Sequence, residues 1–355
     1  MSTFVQLHLL TSYPPSNLNR DDLGRPKTAV MGGKTRLRVS SQSLKRAWRT
    51  SALFESALDG HIGKRTKKMG LEVYKMLCAK GVAENKAKEL AIEVVGFFGA
   101  TENAVKNKPL KELESSQLIH FNQSEMLALS DLTEKIAKDA KVDTDDLKKL
   151  VAKRYDIDVA MFGRMLTGKE VVKVTKNTEA AVQVAHAVTV HEVAVEDDYF
   201  TAVDDLNNGE EDAGAAHIGE TEFASGAFYL YLCINRDLLE ENLGGDKALA
   251  KKALTALVES AAKVAPNGKQ NSFASRAYAS YIMAEKGEQQ PRSLSVAFLK
   301  PVRGEDIMNK AIAELEAKRA NMEKVYGLCA AGDPMIMNAE TGEGSLNDIA
   351  TFVTE

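Results

Sequence analysis

The hydrophobic positions fall into strand-like and helix-like runs without regular alternation. FVQLHLL (4–10) sets Val5, Leu7 and Leu9 on one face and Phe4, Gln6 and His8 on the other, which predicts a buried strand with a packed or hydrogen-bonded histidine. Tyr13, Pro14 and Pro15 stop it, and nothing periodic returns until Thr35. A connection of this length is functional or disordered more often than not, and Gly24, Gly32 and Gly33 let its backbone approach a ligand closely. TRLRVS alternates, with Arg36 and Arg38 on one face and Leu37 and Val39 on the other. SSQSLKRAWR then reads as a helix capped by Ser40 or Ser41, with Gln42, Lys45, Arg46 and Arg49 in one stripe and Leu44, Ala47 and Trp48 opposite.

Further helices are predicted where Met69, Val73, Met76 and Leu77, and then Ala87, Leu90, Ala91, Val94, Val95 and Phe98, form apolar stripes. SQLIHFN is strand-like. SEMLALSDLTEKIAKDA, with Ser124 as its cap, and TDDLKKLVAKRY are helical, and DVAMFGRML is strand-like. AAVQVAHAVTVHEVAV predicts one long strand with Val182, Val184, His186, Val188 and Val190 on a common face, which makes His186 a core residue. SGAFYLYLCIN is a strand, Asn235 caps RDLLEEN, and Leu249, Ala253, Ala256, Leu257 and Val264 mark another helix. PNGKQNSFASRA is a second glycine-and-basic loop, followed by strand-like AYASYIMAE and LSVAFLKPV. A helix after Gly304 carries Met308, Ala311, Ile312, Leu315, Met322 and Val325 on one side, and the tail adds a short element at most. This order predicts an α+β protein with one main domain and a helical insertion.

Charge sharpens the picture. The chain of 355 residues has 46 Lys and Arg against 50 Asp and Glu, a formal charge of -4, so nucleic-acid binding requires an uneven distribution. Arg20, Arg25, Lys27, Lys34, Arg36, Arg38, Lys45, Arg46 and Arg49 cluster near the start against only Asp21 and Asp22, while Glu192 to Glu222 holds eleven carboxylates and no Lys or Arg. The first stretch fits a polyanion, whose binding is driven by counterion release. The second, with Tyr199, Phe200, Val203, Leu206 and Ile218 among its carboxylates, fits a projecting hairpin. Docking that acidic arm on the basic face of a second copy would line protomers up head to tail.

Chemistry is sparse. There is no P-loop, GxSxG or HExxH, and Cys78, Cys233 and Cys329 are too scattered for a disulfide framework or zinc site. No membrane span or secretory signal is recognisable, so a cytoplasmic location is expected. Asp21 and Asp22 are the one candidate for holding a metal against a phosphate, with turn formation as the alternative.

LNRDD, GGKTRLRVSSQSLKRA, FGRM, VQVAHAVTVHEV, DYFTAVDDL, AHIGETEFASGAFY and ENLGG resemble the backbone subunit of the type I-E CRISPR Cascade surveillance complex, the CasC family. The matches run from the first strand to about Gly245 and, more loosely, through the loop at Lys269. The resemblance implies an RRM-like (ferredoxin-like) palm with a helical fingers insertion and a projecting β-hairpin thumb. Palm is then expected at 1–59, 181–192 and 224–355, fingers at 60–180 and thumb at 193–223.

It further implies a non-catalytic subunit that polymerises along guide RNA, its thumb displacing bases at intervals so that the rest pair with a target DNA strand. Partners would be further copies of itself, other Cascade subunits and, at the level of the complex, a recruited helicase-nuclease, with no cofactor and no membrane. Guide-backbone contacts are assigned to Arg20, Lys27, Ser40, Gln42, Lys45, Arg46 and Arg49. Arg164 and Met165 are set beside the displaced base, Phe200, Thr201, Val203 and Ile218 lie on the thumb, and Lys269 is an added RNA contact. Tyr199 stands at a tryptophan-like thumb position, and the tip, GEEDAGAA, is longer and more acidic than the family's. Related backbone subunits of other CRISPR types are metal-dependent RNA endonucleases that use an aspartate in the loop after the first strand, where Asp21 and Asp22 lie, and this remains the alternative.

Overall fold

Strand β1 (Phe4–Ser16) is central because both of its faces are covered. In the computed structural model, which describes residues 2–151, 155–174, 178–202 and 217–355, it is followed by β2 (Thr28–Met31), β3 (Lys34–Val39), β4 (Lys64–Thr66), β5 (Ile119–Phe121), β6 (Val182–Val184), β7 (Ala187–Thr189), β8 (Glu196–Ala202), β9 (His217–Asn235), β10 (Tyr281–Gly287) and β11 (Met335–Asn338). Among the described residues the main sheet runs β11-β10-β1-β9-β7-β3-β2, with β6 and β8 also paired to β9, and β4 pairs with β5. The pairings of β1 with β9 and β10, and of β9 with β7 and β8, are antiparallel. The fold is α+β. No helix of the described residues is long and apolar enough to cross a membrane.

The chain divides into two units, Met1–Phe54 with Gln183–Asn235 and Leu254–Glu355, and Glu55–Val182 with Arg236–Ala253. In the first, one sheet face is closed by helix Ser41–Arg49 and the end of helix Lys247–Lys263, where Leu44, Trp48, Phe228, Leu230 and Ala261 come together. The other face holds Leu10, Ala227, Tyr229, Tyr281 and Met283 against Phe298 and against Ala311, Ile312 and Leu315 of helix Ile307–Tyr326. Val325 falls off that stripe and is 73% exposed.

A polar network lies within this second layer. Leu294 N donates to the Tyr229 hydroxyl (3.1 Å), which faces His8 Nδ1 at 2.8 Å, while His8 Nε2 faces Glu285 Oε2 at 3.1 Å. Arg292 and Arg319 donate to the same buried carboxylate at 2.5, 3.1 and 2.7 Å. Burial pushes the Glu285 carboxyl up, but the hydrogen bonds from His8, Arg292 and Arg319 outweigh it and hold the group well below the ordinary carboxylate range.

The second unit packs helices Met69–Ala79, Glu84–Phe98, Gln123–Asp139 and Thr144–Leu150 around Val73, Leu77, Leu90, Phe98, Phe121 and Leu147. Helix Gln123–Asp139 is capped by Asn122 rather than Ser124, in a reciprocal box with Glu125.

Other sequence expectations change. DVAMFGRML forms helix Ile157–Phe162, ended by Gly163 at a positive φ of 80°; residues Ile157 to Met161 are all buried, and a short continuous apolar run of this kind does not separate strand from buried helix by periodicity. LSVAFLKPV contributes only a 3-10 turn, Ser295–Phe298. The gap before Thr35 contains β2, hairpinned to β3, and β11 precedes the tail, whose short element is helix Leu346–Thr354. The long strand at 180–195 breaks into β6 and β7, and the break turns His186 out to solvent.

Glu285→Gln is expected to destabilise the protein by about 3–5 kcal/mol, because two part-buried guanidiniums lose the fully buried carboxylate they share, and only Arg319 keeps another, Glu323. Since the folded carboxyl titrates below its unfolded value of about 4.3, the deficit should be full at neutral pH and narrow only as pH falls below about 4. Denaturant unfolding at both pH values measures it.

Candidate nucleic-acid interface

The loop after β1 is held by asparagines. Asn17, fully buried, donates through Nδ2 to the carbonyls of Gly24 and Glu222, both at 2.9 Å, and Asn19 Oδ1 accepts from Ser40 N at 2.9 Å. Asn19 O accepts from Lys27 N and Lys27 O from Arg38 N, each at 2.8 Å. Arg20 is bridged to Pro26, so Arg20, Lys27 and the start of helix Ser41–Arg49 are fixed in one frame. Ser40 caps that helix by accepting from Ser43 N. Its hydroxyl is therefore committed to the backbone, while Gln42 and Arg46 are exposed and Lys45 and Arg49 half-buried on the stripe opposite Leu44 and Trp48.

Arg20, Lys27, Arg38 and Arg46 pair with no described carboxylate. Four cations without a paired carboxylate among the described residues leave positive charge available to attract an anion. Arg36 does not join them. It is fully buried and donates to the carbonyls of Thr189 (3.0 Å) and Phe298 (2.9 Å), because its side of β3 is covered by chain with carbonyls to satisfy. The close approach expected of Gly32 is likewise internal: a Cβ there would meet the Leu299 carbonyl oxygen at 1.7 Å.

Strands β8 and β9 form the expected hairpin, and every residue of β8 is exposed. Cross-strand pairs place Thr201 beside Ile218 and Tyr199 beside Glu220 on one face, with Phe200 over Gly219 on the other. A Cβ at Gly219 would lie 2.3 Å from the Phe200 ring, so the glycine is what allows the ring to lie across its partner strand. At the hairpin base Lys269 Nζ donates to Thr221 Oγ1 (2.5 Å) and Arg25 Nε pairs with Glu222 (2.9 Å), one cation on each face. Val203 and the tip GEEDAGAA lie outside the described residues.

In the second unit Met165 is 64% exposed, whereas Arg164 is 6% exposed and turned inward, donating to Glu125 Oε2 (2.6 Å) and the His120 carbonyl (3.2 Å). The helical turn at 157–162, unrecognised in the sequence, directs Arg164 toward a buried carboxylate. Asp21, the metal candidate, accepts through Oδ1 from Leu23 N and Arg25 N, both at 2.9 Å, as a turn-forming aspartate does. Among the described residues no three His, Cys, Asp or Glu side chains gather to hold a metal ion.

Charge clustering in the sequence reaches Arg20, Lys27, Gln42 and Arg46. The asparagine clamp and the contact between Arg38 and exposed His186 carry no periodic signal. Gly219 was findable only from the hairpin register, which sets a glycine opposite an aromatic residue.

The family model described as CT1975-like protein (Cas_CT1975) matches residues 5–351. No curated protein matches the sequence. Among solved structures, a chain of a "CRISPR RNA-guided surveillance complex, pre-nicking" is similar at 30% identity, with a TM-score of 0.79 over 97% of this chain and 94% of that one. A chain of a "CRISPR RNA-guided surveillance complex" shares the fold at 24% identity, with a TM-score of 0.71 over 99% of each chain.

Arg164→Ala is expected to lower stability by about 3–5 kcal/mol, as loss of a buried ion-pair partner does. A solvent-facing residue at that position would change stability by less than about 0.5 kcal/mol. Chemical denaturation of the variant distinguishes the two.

Proposed function

The chain belongs to the CT1975-like family, and from that premise we propose that it is the guide-RNA-binding backbone subunit of a type I-E CRISPR surveillance complex. The observation that carries this reading is the cationic face of Arg20, Lys27, Arg38 and Arg46, paired with no described carboxylate, beside an exposed hairpin. Full-length likeness to a chain of an RNA-guided complex supports it. Sheet order β10-β1-β9-β7, with helices in the connections, supports an RRM-like palm. The second unit corresponds to the fingers and the β8–β9 hairpin to the thumb.

In this reading Arg20, Lys27, Lys45, Arg46 and Arg49 neutralise phosphates, which fixes the strand without reading its bases. Gln42 adds an uncharged contact at the helix start, which Ser40 holds in place through its bonds to Asn19 and Ser43. Phe200, Thr201 and Ile218 on the thumb and Met165 on the fingers serve the displaced base, where stacking contributes about 1–3 kcal/mol per base. Copies of the chain assemble head to tail on the guide in the cytoplasm, with the remaining bases open to target DNA. Cutting then falls to a recruited helicase-nuclease. Asp21 acts as a turn residue, which agrees with a non-catalytic role.

Nucleic acid of uniform length should copurify with the protein. Lys45→Glu combined with Arg49→Glu should abolish that copurification while changing stability by only about 1 kcal/mol per site, the scale of a charge placed at a helix end. Recovery of the same nucleic acid with the double variant would remove the proposal. In a separate assay, complementary RNA incubated with the assembled protein and Mg²⁺ should stay intact. Regular cleavage that disappears in Asp22→Ala would make the protein an endonuclease instead.

A further inference from the structure

We infer that Arg38 and His186, next to Lys27, form an additional phosphodiester subsite on the cationic face, with Arg38 as the contact and His186 as the residue that positions it. This rests on the RNA-binding reading and extends it to two residues outside the family assignments.

The geometry begins in the backbone. Arg38 N donates to Lys27 O at 2.8 Å, which sets Lys27, just ahead of β2, beside Arg38 of β3, and both line a shallow hollow with Asn19, Pro26, Leu37 and Phe228. Arg38 pairs with Val188 across β3 and β7, and this register brings its side chain to the break before β7 where His186 stands. Arg38 Nη1 lies 3.0 Å from His186 Nδ1. A guanidinium offers only donors, so Nδ1 must be the acceptor and the ring proton sits on Nε2, which faces no described acceptor. Partial burial, then Arg38 and Lys27, lower the histidine pKa, so the ring is neutral at pH 7 and suited to accept.

The choice of orienting group matters. An aspartate or glutamate in place of His186 would hold the guanidinium equally well but would cancel its charge. A neutral imidazole fixes the orientation, leaves the full positive charge, and leaves four of the five guanidinium N–H groups for a ligand. Neither Lys27 nor Arg38 pairs with a described carboxylate, so two like charges share one hollow without compensation. A phosphodiester is the group that matches: its two non-bridging oxygens accept from the planar guanidinium fork of Arg38, its single negative charge is attracted by both cations, and it occurs at every step of an RNA strand.

The test is binding of a labelled single-stranded RNA of mixed sequence by the whole chain, freed of copurifying nucleic acid, across a salt series. Arg38→Ala should flatten the slope of log affinity against log salt by about 0.7, the increment for one phosphate on a single strand. Arg38→Gln, which keeps the stem, should do the same and keeps the test decidable should the alanine variant not fold. His186→Leu should flatten the slope likewise, and His186→Asn, with Oδ1 where Nδ1 stood, should restore it. Unchanged slopes in the folded Arg38 variants overturn the subsite, and an unchanged slope in His186→Leu overturns the positioning role. If Lys45→Glu with Arg49→Glu still weakens binding in those cases, the RNA-binding reading stands without the subsite. No salt-dependent binding by the unaltered chain removes both.

Discussion

The continuity of β9 is the constraint on which the first unit depends. From Ala224 to Asn235 the strand pairs with β1 in the middle of the main sheet, and from His217 to Phe223 the same strand leaves that sheet and pairs with β8 alone. A two-stranded ribbon is at best marginally stable in water. Here it is an extension of a buried strand and is fastened at its root by Asn17 to the Glu222 carbonyl, by Arg25 to the Glu222 side chain and by Lys269 to Thr221. The loop that carries Arg20 and Lys27 is tied to the same asparagine. Anything that shifts the register of β9 therefore moves the hairpin and the cationic loop together.

The two kinds of charge in this protein are managed in opposite ways. Arg36, Arg164, Arg292 and Arg319 are withdrawn from water, and each is satisfied by carbonyls or a carboxylate, since an uncompensated buried charge is far too unfavourable to keep. Arg20, Lys27, Arg38 and Arg46 stay in contact with solvent, where mutual repulsion is screened and no counter-charge is needed for folding. The nine cations of the first fifty residues are therefore not one population. Arg36 serves the core, Lys34 pairs with Glu192 and Arg25 with Glu222, and Arg20, Lys27, Arg38 and Arg46 pair with no described carboxylate.

Periodicity made most of the fold legible. The stripes at 69–77 and 87–98 became helices, and FVQLHLL became the central strand with His8 hydrogen-bonded inside. Failures occurred where local pattern competed with a non-local partner. Alternation alone put Arg36 and Arg38 on one exposed face, yet the covering segment around Phe298, which buries Arg36, comes more than two hundred residues later. Alternation also ran through His186, but the two-residue break after Val184 reset the phase, and a one-residue slip exchanges the faces of a strand. Of the candidate site, the charge-based residues were readable, whereas the inward turn of Arg164 depended on Glu125, a partner that no spacing rule links to it.

The hairpin's apolar residues bear on the same distinction between folding and function. Tyr199, Phe200 and Ile218 remain exposed on a ribbon otherwise rich in carboxylates, and only Phe200 gains a seat, across Gly219. Each leaves unfulfilled a burial worth about 25 cal/mol per Å² of apolar surface. Folding gains little from them, since β8 has no covered face. Side chains that contribute little to their own fold, held in fixed cross-strand register on a strand rooted in the core, have the geometry of contacts made with something outside the chain. The uncompensated cations nearby meet the same condition electrostatically. Exposed apolar tips and cations without a paired carboxylate are the two features that the proposed ligand, a strand with unpaired bases and a phosphate backbone, would use together.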